Sequence, residues 1–271
     1  MQDYFFTLAD ALQAQVQGGE TLLLAFDGED SDFIRFNHAR VRQAGSVTRR
    51  SLALDLIAAD RHAAGRAQLA GSLEQDLPLL GYLLEDLRTQ RAHLPADPYL
   101  NFATDDASSK TRVESELPER AAALDAIMGA SGALDLVGIY AAGAVYAGFA
   151  NSLGQRNWHA CESFNFDWSC FHATDKAVKS DYAGLCWDPD ELQARMQHAK
   201  TDLEIVRRPP KTIDSGRYRV YLAPRALQEV LEMMAWGGFG LKSQRTGQSP
   251  LNRMLADGLL LDPTVDLSER H

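Results

Sequence analysis

Apolar positions along this chain follow two rhythms. Over residues 3–17 they recur at helical spacing and stop at Gly18-Gly19, which predicts an amphipathic helix. Segments 21–26, 33–41 and 48–59 then read as strands. In the last of these, Leu52, Leu54 and Leu56 alternate with Ser51, Ala53 and Asp55, the period of a half-buried antiparallel strand.

Ser72 with Gln75 has the form of a capping box, so a second helix is expected from there to about Arg91. Residues 93–117, with two prolines and the run Thr104-Asp-Asp-Ala-Ser-Ser-Lys110, form a polar connection. A helix over 118–129, strands between 133 and 187, and a helix from Asp188, Pro189 and Glu191 to about Lys200 complete the pattern. The order helix, strands, helix therefore occurs twice, without a matching sequence repeat. Arg207-Arg208-Pro209-Pro210 reads as a linker, because two prolines remove backbone donors and stiffen the chain. The expected architecture is α+β: antiparallel sheets flanked by helices over residues 1–210, then the start of a truncated second domain over 211–271.

The segment from Arg217 to Gly240 carries the most information. Residues 218–222 read as a short strand leading to Pro224, which suits a first helical turn because its missing N–H has no partner there. Leu227, Val230, Leu231 and Met234 share one face of the ensuing helix, Arg225, Gln228, Glu229 and Glu232 take the other, and Gly237-Gly238 stops it. Together with Ser249-Pro250-Leu251, Gly258 to Pro263, Asn151 to Gly154 and Lys179 to Ala183, this layout resembles the TldD/PmbA family of metallopeptidase-related proteins.

In the catalytic branch of that family the helix carries His-Glu-x-x-x-His, two zinc-binding imidazoles and a glutamate base. Those positions fall near Glu232, Met233 and Gly237, and none is a histidine. No shift of register restores the motif, since no two of the seven histidines lie five apart. The resemblance therefore implies the PmbA or TldE branch: a non-catalytic subunit with no cofactor of its own. Such a subunit combines with a TldD-like catalytic partner, or with itself, and helps enclose peptide substrates. It also implies a β-rich second half beyond Asp262-Pro263, so the chain reads as a fragment. Two other readings stay open, an interaction module with no proteolytic role and a hydrolase using another site.

A net charge of −10 argues against a broad nucleic-acid surface, where phosphate contacts dominate affinity. The local cluster Arg40, Arg42, Arg49 and Arg50 reads as a solvated strand face. Three cysteines cannot all pair within one chain, and Met1-Gln-Asp-Tyr has no basic leader, which together fit a reducing cytoplasm. The longest apolar run, 134–150, is interrupted by Asp135 and is too short to span a membrane.

One local pattern suggests a metal. If residues 164–167 turned tightly, Cys161 would face Cys170 and His159 would face His172, giving four tetrahedral zinc ligands on one side of a hairpin. Phe164-Asn-Phe-Asp lacks Gly and Pro, however, and reads as continuing strand, with the turn at Asp175-Lys176 instead. Gly237-Gly-Phe-Gly240 with Lys242 follows a helix rather than opening one, so it reads as a connector and not a phosphate loop. Glu229 and Glu232 read as part of a solvated face.

Overall fold

The computed structural model describes residues 1–173 and 176–268. It divides into two compact units, Met1–Pro209 and Pro210–His271.

Among the described residues, the first unit is one seven-stranded sheet with two pairs of helices. Its elements are α1 (Gln2–Gln13), β1 (Glu20–Asn37), β2 (Arg40–Ala58), β3 (Arg61–Gln68), α2 (Leu73–His93), β4 (Ser109–Val113), α3 (Arg120–Ser131), β5 (Asp135–Asn151), β6 (Arg156–Ala173), β7 (Lys176–Gly184) and α4 (Pro189–Val206). The strands lie in the order β3-β2-β1-β5-β6, all antiparallel. The far edge of β6 is shared: β4 pairs with it in parallel over 157–161, and β7 pairs antiparallel over 164–173.

Two corrections to the sequence reading follow from β1. Segments 21–26 and 33–41 are not separate strands, and the hairpin turn falls at His38-Ala39, inside the second of them. The polar run Asp27-Gly-Glu-Asp-Ser-Asp32 looks like a loop in isolation. It continues as strand because β2 and β5 satisfy its backbone groups on both sides. β3 was not foreseen; Arg61–Gln68 contains three alanines and a glycine and so lacks the β-branched residues that mark a strand.

The helix–strands–helix order seen twice in the sequence becomes two hydrophobic cores. Helices α1 and α2 bury Phe5, Leu8, Leu80 and Leu84 against Leu22, Leu24, Phe26, Leu52, Leu54 and Trp158. Helices α3 and α4 bury Ile127, Leu192 and Met196 against Ile34, Phe36, Tyr140, Phe166 and Trp168. In β1 the buried residues of both cores are even-numbered, so both helix pairs cover the same face of the sheet.

Polar anchors fix the helix ends. Asp188 accepts a hydrogen bond from Asp190 N–H and caps α4 as expected. At α2 the expected Ser72 side-chain cap is not made; Asp76 reaches back instead and accepts from the N–H groups of Ala70, Gly71 and Ser72. Glu20, at the start of β1, accepts from Arg88 and Arg91 on α2. Burial alone would raise the carboxyl pKa values of Glu20 and Asp76, but their donors outweigh it and both lie below the ordinary value. Groups depressed in the folded state add stability above their unfolded pKa, near 4, and lose it as pH falls through the lower folded value. The folded first unit should therefore lose stability progressively below about pH 4.5, and Glu20→Gln should flatten that acid limb in pH-dependent urea unfolding.

The second unit contains α5 (Pro224–Ala235), α6 (Leu241–Arg245) and α7 (Asn252–Asp257). Segment 218–222, expected as a strand, forms none, because no neighbouring segment among the described residues pairs with it. The glycine stop is as expected: α5 ends at Ala235 and Gly237 has φ +73°. Ser249, almost fully buried, donates to Gly238 C=O at 2.7 Å and accepts from Leu251 N–H, which ties the Gly237–Gly240 turn to Ser249-Pro-Leu.

Candidate functional site: a polar groove across the sheet

Between the two cores the helix-covered face of the sheet is polar. Strand register lines up three rows of side chains across it. Arg50, Gly28, Tyr146, Ala160 and Arg112 form the first, Thr48, Asp30, Ala144 and Glu162 the second, and Ser46, Asp32, Ala142 and Phe164 the third. With strands spaced about 4.8 Å, this groove runs roughly 19 Å from β2 to β4. Small residues on β5, Ala142 and Ala144, keep its floor low.

The two sides of the groove differ in charge pairing. Toward β2, Arg50 lies 3.3 Å from Asp30, and Arg120 at the start of α3 lies 3.1 Å from Asp32, which also accepts from Ser46 Oγ. Toward β4, a cavity of about 390 Å³ opens over Ala160, lined by Tyr146, Trp158, Glu162, Lys110 and Arg112. Trp158 stacks on Tyr146 with ring centroids 5.9 Å apart. Lys110, Arg112 and Glu162 make no ion pair or side-chain hydrogen bond among the described residues. The Tyr146 hydroxyl is held above the usual phenol range, by burial first and then by Asp30 and Glu162.

A smaller cavity of about 230 Å³ lies toward α3, lined by Asp32, Pro118, Arg120 and Tyr140. Tyr140 is buried and its hydroxyl has no partner among the described residues. Burial, then the charge of Asp32, pushes its pKa up to about 12. An unsatisfied buried hydroxyl is a cost, so Tyr140→Phe should leave stability unchanged or raise it by about 1 kcal/mol in urea unfolding.

The four candidate zinc ligands are not brought together. β6 runs without a turn through 164–167, so His159 and His172, thirteen residues apart, are separated by roughly 40 Å. Cys170 is fully buried in the second core, and burial pushes its thiol up to about 11, where it is neither nucleophile nor ready ligand. Cys161 borders the cavity at the β4 end, but it alternates with Ala160 and Glu162 along β6, so its side chain belongs to the other face of the sheet. His172 shares a cavity of about 350 Å³ with His38 and Asp135, but its Nδ1 accepts from Arg207, whose charge would oppose a cation. Strand 176–184 does pair with β6; Asp175 of the expected turn lies outside the described residues.

The arginine cluster is likewise not one solvated face. Arg49 and Arg50 point to opposite sides of β2, and Arg50 belongs to the groove. The groove itself escaped the sequence reading; its signal was the run 27–32, polar on both faces in the middle of an otherwise apolar strand.

On α5, Glu232 accepts from Gln228 at 2.7 Å, Met233 is exposed, and Gly237 lies past the last helical residue with positive φ. The third position of the family's zinc motif is thus off the helix as well as without an imidazole.

Sequence comparison finds no matching family model and no similar curated protein. Structure comparison is decisive for the fold. A Thermotoga maritima protein described as a candidate modulator of a DNA gyrase superposes with TM-score 0.67 at 14% identity, over 91% of this chain and 58% of its own. A Bacteroides thetaiotaomicron protein of the same description gives 0.66 at 11% identity, over 92% and 59%. The chain has the TldD/PmbA fold. TldE from Thermococcus kodakarensis matches at TM-score 0.50 and 9% identity, over 74% of this chain and 47% of its own. The chain thus spans about three fifths of the length of the first two structures it matches. Within that TldD/PmbA fold, the polar groove lies in the Met1–Pro209 unit.

Proposed function

We propose that this chain is a non-catalytic, PmbA/TldE-like subunit that acts on peptides together with a zinc-bearing TldD-like partner. The observation that carries the reading is the state of α5 within a TldD/PmbA fold. Amide hydrolysis by a metal needs a polarising ion and a base, and Glu232, Met233 and Gly237 supply neither a pair of imidazoles nor a carboxylate at the base position. The likeness to a solved TldE supports the same branch. Peptide as the substrate class, the partner and a cytoplasmic setting are parts of the proposal. Among the described residues no helix is long and apolar enough to cross a membrane.

Tagged protein recovered from its native host tests the partnership. The expected result is a co-purifying chain that carries His-Glu-x-x-x-His in near-equal amount. Recovery of this chain with only itself, in preparations that nevertheless cleave peptides and stop on chelation, would overturn the proposal.

A further inference from the structure

We propose that the β4 end of the groove binds the C-terminal carboxylate of an extended peptide, with Arg112 and Lys110 as its anion partners. The inference rests on the reading that this chain engages peptides, and it adds which end of the peptide is held and where.

Three observations support it. In a chain of net charge −10, Arg112 and Lys110 stand together on one short strand, facing a cavity and paired with no acid. A guanidinium offers the forked donor geometry that matches a carboxylate. The cavity volume of about 390 Å³ falls within the ~300–1,000 Å³ range of small-ligand sites, so it holds a terminal residue and not a folded domain. Its walls divide by chemistry. The half-buried Tyr146 ring, backed by the buried Trp158, presents an aromatic surface for a side chain, and the Tyr146 hydroxyl, without a hydrogen-bond partner among the described residues, adds a donor beside the cations.

Glu162 sets the direction. It borders the cavity on the side that opens onto Ala144 and Asp30, so a carboxylate is repelled from there and drawn toward Lys110. The N–H groups of the preceding residue would meet Glu162, while Asp30 and Asp32 farther along are already paired with Arg50 and Arg120. Glu162, unpaired among the described residues and beside the two cations, opposes a dianion more than a monoanion, which selects a carboxylate over a phosphate.

Equilibrium dialysis of the 271-residue chain tests this, using a degenerate pool of N-acetylated hexapeptides prepared once as free acids and once as C-terminal amides. The acids should be retained about tenfold better than the amides, a difference of one charge-assisted contact. Arg112→Gln should reduce the preference to about twofold or less, whereas Arg207→Gln, remote from the groove, should leave it intact. Equal retention of acids and amides, retention of neither, or an unchanged preference in Arg112→Gln would overturn the inference. So would displacement of the acids by an equal concentration of inorganic phosphate, which would mark a phosphate site. Partner-dependent cleavage with no acid preference would sink this site while leaving the subunit proposal standing. Acid-selective retention by a chain that has no catalytic partner would do the reverse.

Discussion

Asp76→Ala should destabilise the Met1–Pro209 unit by about 4 kcal/mol, because four donors lose their acceptor at once. Asp76 is 1% exposed and accepts from Tyr4 O–H at 2.6 Å as well as from the N–H groups of Ala70, Gly71 and Ser72. It therefore closes the start of α2 and ties α1 to it, two elements of one core. Alanine supplies no acceptor, and the space left is too polar to collapse onto apolar neighbours. At about 2–4 °C per kcal/mol for a domain of this size, the melting temperature should fall by roughly 10 °C. Tyr4→Phe removes only one of the four donors and should cost about 1 kcal/mol. Equal losses for the two variants in urea unfolding would show that the backbone donors find other acceptors and that Asp76 is not the cap described.

Gly143→Ala should be of similar size, for a steric reason. Gly143 sits on β5 opposite Ser31, and a Cβ there would lie 2.3 Å from Asp30 O and 2.5 Å from Ser31 Cα. Both are backbone atoms of the central strand β1, so no rotamer change relieves the clash and the β1–β5 ladder must part locally. Overpacking of mobile side chains costs about 1–3 kcal/mol, and a backbone clash at the sheet centre should reach the top of that range or exceed it. The β1–β5 pairing also sets the register of the groove, so in Gly143→Ala amide exchange should quicken first around Asp30 and Ala144. Quickening confined to the helix ends would contradict this placement.

The sequence disclosed the parts of the fold that follow local rules. The Leu52, Leu54, Leu56 alternation, the Asp188 cap and the Pro224 start with its glycine stop all read correctly, because each depends on residues within a turn or a strand of one another. What failed to read depended on distant partners. The run 27–32 becomes strand only because β2 and β5 flank it, and 218–222 remains unpaired because a strand is defined by its neighbour. The groove was hidden for the same reason. Its rows draw one residue each from strands far apart in sequence, Gly28 and Ala160 among them, and only the register reveals that Tyr146, Ala160 and Arg112 stand side by side. Conversely, the His159, Cys161, Cys170 and His172 quartet was a pattern of short-range spacing that continuous strand geometry pulls apart.

The proposal behind these expectations is that this chain contributes to peptide cleavage without performing it. Its most direct measurement is hydrolysis of unstructured peptides by the purified chain, alone and after adding the His-Glu-x-x-x-His protein from the same host, with and without a zinc chelator. The account predicts no cleavage by the chain alone and chelator-sensitive cleavage by the mixture that exceeds the partner's own rate. Chelator-sensitive cleavage by the chain alone, unchanged when the partner is added, would contradict it.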